Sequence, residues 1–244
     1  MSKLRILCLH GFTSNGSVHA HQIRGITKAL SAEYEFLFPV GPHVVEITEN
    51  SKLESPSMKS WSEYVSKYST SGHRGWWVTK EPNPANGEPG TFEGLEKSLK
   101  YIGDFIHNSG PVHAIWGFSQ GACFAGMLMA LLSLKQMDNP LRNHLPCQPL
   151  VPSAGIFIAG FKARFPQYDS AYASGIDVPT LHVIGSQDVA VVPERSEALV
   201  KISTNPSVLR HGGGHNFPTS EEDQKIIIDF LRQNVRVTST DHLE

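Results

Sequence analysis

Gly117-Phe118-Ser119-Gln120-Gly121 sets one hydroxyl between two glycines, at the end of the apolar run "VHAIWG" and the start of the apolar run "ACFAGMLMALL". A serine hydroxyl is a weak nucleophile until a base takes its proton. The pentapeptide G-x-S-x-G is unspecific alone, but between a strand and a helix it has the context of a nucleophile elbow. A sharp strand-to-helix turn there would hold Ser119 in a strained conformation at the carboxyl end of a sheet. The helix behind it would offer free N–H groups to a developing oxyanion. The bland alternative is that Ser119 merely caps that helix.

The base is expected on a loop after a later strand. His215 follows the run "SVLR" and a glycine tract in "LRHGGGHNFP", and His211 is its rival, within or at the end of that strand. An acid should orient the imidazole and stabilise its charged form. Asp188, in "HVIGSQDVAVV", lies just past a strand end, although it could be a turn residue. Asp177 precedes the same strand, at the wrong end of a parallel sheet. The order Ser119, Asp188, His215 is that expected of an α/β-hydrolase. The oxyanion donors would be the N–H of Gln120 and, from the loop after the first strand, that of Phe12. His10 reads as a stabiliser of that loop, and His113 and His182 as core or sheet-end histidines. Trp76 and Trp77 could be packing or pocket wall. No histidine pair has a zincin spacing, so neither metal nor cofactor is expected.

Alternating elements must position these groups. "LRILCL" reads as a buried strand, "SVHAHQIRGITKALSAEY" as a helix, and "YEFLF" as a strand stopped by Pro39. Periodicity fades over residues 41–90, an irregular insert expected to act as a lid or pocket wall. Regular alternation then returns: a helix from Thr91 to Gly110, the strand and buried helix around Ser119, strands at "SAGIFIAG" and "TLHVIG", a helix at "PERSEALVKIS", a short strand at "SVLR", and a last helix capped by Ser220. Such alternation predicts one α/β domain over residues 1–244, with a mostly parallel sheet of roughly five to seven strands covered on both faces.

Composition narrows the classes. The 244 residues carry a formal net charge of −2, with no charge run to attract nucleic acid. Cys8, Cys123 and Cys147 fit no metal motif; Cys8 and Cys123 read as small buried hydrophobes, and a reducing compartment follows. The apolar run of residues 6–9 is too short for a signal core, and no segment approaches a membrane span. A soluble, cytoplasmic protein is expected. The near-neutral charge and apolar insert favour an uncharged or acyl-chain substrate.

These motifs together resemble the fungal-type family of serine hydrolases, compact α/β-hydrolases related to the ovarian-cancer-associated serine hydrolases of animals. "LCLHGFTSNG" resembles the family's first strand and oxyanion loop, "RGWWV" with "FEGLEKSLKYI" its tryptophan-containing insert and next helix, and "GFSQGA" its elbow. "IAGF" resembles a strand end, "GSQDVAVVPERSEAL" the acid loop, and "GGGHNFP" the histidine loop. The resemblance implies the triad Ser119, Asp188 and His215, with Phe12 and Gln120 as oxyanion donors. It implies hydrolysis of carboxylic esters or thioesters, since relatives include esterases of acyl chains and thioesterases that release polyketides from a synthase carrier. The expected partner is therefore a small ester or thioester, with a polyketide synthase or acyl-carrier domain as the alternative. A non-hydrolytic binding module on the same fold is the remaining reading.

Overall fold

The computed structural model describes residues 3–47, 56–85, 87–145 and 151–237; Cys147 and residues 48–55 and 86 of the insert lie outside them. The elements in chain order are β1 (Leu4–Leu9), α1 (Gly16–Gln22), α2 (Arg24–Ala29), β2 (Tyr34–Leu37), β3 (His43–Val44) and α3 (Pro56–Tyr68). Next come β4 (Arg74–Gly75), β5 (Val78–Lys80), β6 (Thr91–Glu93), α4 (Leu95–Ser109), β7 (Ala114–Phe118) and α5 (Gln120–Leu131). The chain continues through β8 (Ala154–Ile158), β9 (Ile176–Gly185), α6 (Pro193–Val200), β10 (Ser203–His211) and α7 (Glu221–Asn234).

Six strands form one sheet in the order β10-β9-β8-β7-β1-β2, and every pairing is parallel. This is the α/β fold that the alternation predicts. Because side chains alternate along a strand, Leu7 and Leu9 of β1 enter the core on one face, with α4 and α5, while Ile6 and Cys8 enter the other, with α2 and α7. Trp116 and Ile115 of β7, and Ile156 and Phe157 of β8, divide in the same way. A sheet buried on both faces explains why these strands read as continuous apolar runs. All twelve residues of α5 are buried, as its apolar circumference requires.

Local expectations differ from the structure at several points. The strand read at "SVLR" is the nine-residue β10, which starts at Ser203, where a helix is expected to end. Three further differences lie in the first half of the chain. The helix read through residues 17–34 is two helices. Ile23 breaks it (φ −101°, ψ 14°), where a β-branched residue and nearby Gly25 are weak helix formers. The helix read from Thr91 starts at Leu95 after Gly94 at φ 86°; Thr91 instead pairs in β6 with β5. The insert is not irregular throughout: it holds the 13-residue α3, the small pair β3–β4, and β5, which pairs with β6 just beyond it. Trp61, Tyr64, Val65 and Tyr68 recur at helical spacing in α3, but polar residues between them dilute the signal. Trp61 donates its indole N–H to the Thr13 carbonyl (2.8 Å), and Tyr68 stacks on His21 at 3.6 Å, so α3 is fastened both to the loop after β1 and to α1.

Candidate active site

Ser119 joins β7 to α5 at φ 53°, ψ −117°, one of three non-glycine residues with positive φ among those described. Its position is that of a helix N-cap, yet its side chain caps nothing. The hydroxyl instead lies 2.9 Å from His215 Nε2. The turn is this tight because the flanking glycines allow close backbone approach. A Cβ at Gly117 would stand 2.4 Å from the Gly121 carbonyl oxygen, and one at Gly121 would stand 2.2 Å from that of Leu9. The backbone N–H of Ser119 is committed to the Ile158 carbonyl of β8 (2.9 Å).

Asp188 and His215 come from the loops after the neighbouring strands β9 and β10. Those loops are tied by Ser186 N–H to His211 O (2.9 Å) and Gln187 N–H to Gly213 O (3.0 Å). His215 Nδ1–H donates to Asp188 Oδ2 at 2.8 Å. The other oxygen of Asp188 accepts the N–H groups of Ala190 (2.9 Å) and Val191 (2.8 Å). The carboxylate is thus buried and satisfied. With Asp188 ionised, the imidazole proton sits on Nδ1 and leaves Nε2 as the acceptor facing Ser119. Phe118 packs its ring 5.0 Å from that of His215 and stacks on Phe217, fixing the histidine from behind.

The rival residues are engaged elsewhere. Asp177 is at the amino end of β9, paired with Lys135. His211 ends β10 and accepts the N–H of Gly213 at Nδ1 (3.2 Å). His10 is fully buried, accepts Gly41 N–H at Nε2 (2.8 Å) and bonds the Gly11 carbonyl through Nδ1 (2.8 Å). Burial pushes its pKa down to about 4. His113 accepts Arg5 N–H, and His182 bonds Thr180 and Ser203 inside the sheet.

Ser119 and His215 open into a cavity of about 370 Å³ that Phe12, Gln120 and Trp77 also line. The N–H of Gln120 is in the first turn of α5, where helix geometry provides no intrahelical acceptor. The two tryptophans differ. Trp77 forms cavity wall and stacks on Phe92 at 4.6 Å. Trp76 is no part of that wall: it is fully buried behind it, its indole N–H on the His10 carbonyl (2.8 Å). The Gln120 side chain holds both, its Oε1 accepting Trp76 N–H (2.8 Å) and its Nε2 donating to the Trp77 carbonyl (2.9 Å).

Sequence reasoning missed this use of the Gln120 side chain. It also missed Glu81, Arg164 and Arg195, which line the same cavity. Arg195 falls seven residues after Asp188 in the fragment "QDVAVVPER", close enough to the acid loop to have been a candidate. Nothing local marks Arg164 or Glu81. Among the described residues, no group of three or more His, Cys, Asp or Glu is arranged to hold a metal ion. Nor is any helix there long and apolar enough to cross a membrane.

The chain matches the serine hydrolase (FSH1) family over residues 1–227. It is 29% identical to the esterase CG5412 of Drosophila melanogaster over 96% of this chain and 75% of that protein. It is 30% identical to the esterase OVCA2 of Danio rerio, over 94% and 97% respectively. In structure it is similar to acyl-protein thioesterase 2 of Zea mays, with a TM-score of 0.57 over 96% of this chain and 94% of that one, at 16% identity. That last likeness is one of fold.

Proposed function

The chain belongs to the serine hydrolase (FSH1) family, and on that premise we propose that it cleaves carboxylic esters through an acyl-enzyme on Ser119. The observation that carries this reading is the unbroken hydrogen-bond chain from Ser119 through His215 to Asp188, opening into a cavity. Two relatives are named esterases, which agrees with it.

In this mechanism Ser119 Oγ attacks the acyl carbon as its proton passes to His215 Nε2. The N–H groups of Phe12 and Gln120 hold the tetrahedral oxyanion, each contributing about 3 kcal/mol to the transition state. The bond to the leaving oxygen breaks, and that oxygen takes the proton from Nε2. Water then attacks the acyl-enzyme, gives its proton to the same nitrogen, and the proton returns to Ser119 as the acid leaves. Asp188 keeps the Nδ1 proton in place in the neutral ring and stabilises the imidazolium when Nε2 is protonated. The expected substrates are acyl-chain or secondary-metabolite esters, and Trp77 and Phe92 supply apolar wall for them.

A second reading keeps the triad but makes the substrate a thioester, including an acyl or polyketide group delivered on a carrier domain. The thioesterase name of a structural neighbour favours keeping it in the test. A cytoplasmic location completes the proposal, supported by Cys8 and Cys123 being free, buried thiols. The test is labelling with a fluorophosphonate, comparing wild type with Ser119→Ala, followed by p-nitrophenyl esters and acyl thioesters. Labelling confined to the wild type is expected. Ester hydrolysis retained by folded Ser119→Ala would overturn the assignment. Turnover of carrier-bound thioesters alone would select the second reading.

A further inference from the structure

The cavity that holds Ser119 is not electrically neutral. Two guanidinium groups, Arg164 and Arg195, line it against one carboxylate, Glu81. Arg164 is paired with Glu81 and lies over the Phe165 ring, its Cζ 4.9 Å from the centroid. Among the described residues no carboxylate pairs with Arg195 in this way. Its Cζ sits 4.3 Å over the Phe161 ring, and its hydrogen bond among the described residues is a long one, 3.4 Å to the Ala190 carbonyl. Asp188 attracts it from nearby, but the oxygens of Asp188 are already occupied by His215 and two backbone N–H groups. Partial burial and the like charge of Arg164 both lower the pKa of Arg195.

A half-buried cation beside a second cation is costly unless something negative completes it. Each guanidinium carries five donors in a rigid fork, and stacking on an aromatic ring uses its face while leaving the edge donors free. The fork matches the two oxygens of a carboxylate or phosphate. The chain-wide charge of −2 conceals this, because the acidic excess lies outside the cavity.

We propose that Arg195, assisted by Arg164, is an anion-recognition subsite of the acyl cavity, so that the substrate is an ester bearing an oxyanion group away from the scissile bond. The proposal rests on Ser119 being the nucleophile. Glu81 restrains the subsite by neutralising Arg164 while no substrate is bound.

The test compares kcat/KM for mono-p-nitrophenyl suberate with that for neutral p-nitrophenyl octanoate. A second pair compares butyryl-phosphopantetheine with butyryl-N-acetylcysteamine. The first pair places the anion on the acyl side, the second on the leaving group. A preference of about tenfold or more for the charged member of either pair, expressed in KM, is expected. Arg195→Gln should bring the ratio close to one, and Arg195→Lys should restore part of it. Glu81 is exposed, so Glu81→Gln should fold normally and raise the ratio about two- to threefold. No preference in either pair, or a preference that Arg195→Gln leaves unchanged, overturns the subsite. Fluorophosphonate labelling separates the failures: labelled Ser119 without anion preference removes the subsite alone, and unlabelled Ser119 removes the underlying reading.

Discussion

The Gln120 side chain amide bridges to Trp77, donating Nε2–H to its carbonyl at 2.9 Å while Oε1 accepts the N–H of Trp76. The residue that follows the nucleophile therefore also holds the cavity wall. Elbow and insert are one mechanical unit, although 43 positions separate the two residues in the chain.

Gln120→Ala should loosen both. It leaves a buried N–H and a buried C=O without partners, which costs about 2 kcal/mol or more of stability. The backbone N–H at position 120 survives, so kcat on short esters should fall less than KM rises for substrates that contact Trp77. Urea unfolding and steady-state kinetics check this. Unchanged stability would show that the amide contacts carry no energy.

Asp188→Asn should nearly abolish turnover without unfolding the protein. The asparagine oxygen can still accept from Ala190 and Val191, while its NH2 turns toward His215 and favours the tautomer with hydrogen on Nε2. That tautomer cannot take the Ser119 proton, and a loss in kcat of about 10⁴-fold is expected. Hydrolysis within tenfold of wild type would mean that another acid orients the histidine.

Gly121→Ala should destabilise strongly, by about 3 kcal/mol or more, because the added methyl carbon meets the Leu9 and His10 carbonyl oxygens at 2.2 and 2.4 Å. The obstacle is backbone of β1 and its loop, which cannot swing aside as a side chain can. A melting temperature within a degree or two of wild type would contradict the packing described.

Acid should destabilise the fold through its buried histidines. Burial holds His10 and His182 near pKa 4 and His19 near 3; Arg74 and His10 add to the lowering at His10 and His19 respectively, and Glu197 opposes it at His182. The unfolded chain titrates these residues near 6.5. Between about pH 6.5 and 4 the unfolded state therefore binds protons that the native state refuses. The stabilisation is present above 6.5 and lost as pH falls toward 4, by up to about 1.4 kcal/mol per pH unit for each histidine. Urea midpoints at pH 7.5, 6 and 5 measure this, and His182→Gln should flatten the slope by one histidine's share. A midpoint independent of pH over that range would refute it.

Much of this molecule is legible in local spacing. Strand and helix alternate in the chain as they do in space, and glycines stand where the backbone must approach closely, as at Gly117 and Gly121. Ser119, Asp188 and His215 each occupy a loop just beyond the carboxyl end of a strand, so their shared side of the sheet follows from strand direction alone. The helix α3 is hard to read locally because its apolar residues are sparse, and Thr91 reads as a cap residue although it enters the short strand β6.

The remainder depended on packing. Asp188 is 27 positions from His215, and His215 is 96 from Ser119. Their hydrogen-bond distances come from the sheet order β7-β8-β9-β10 and from two backbone bonds between the last loops. Which tryptophan faces the cavity, and that Arg164 and Arg195 meet there while Glu81 answers only one of them, are likewise consequences of how distant segments stack. Local sequence sets backbone geometry and the direction of each strand; side-chain convergence depends on where the elements dock, a sum of contacts between residues far apart in the chain.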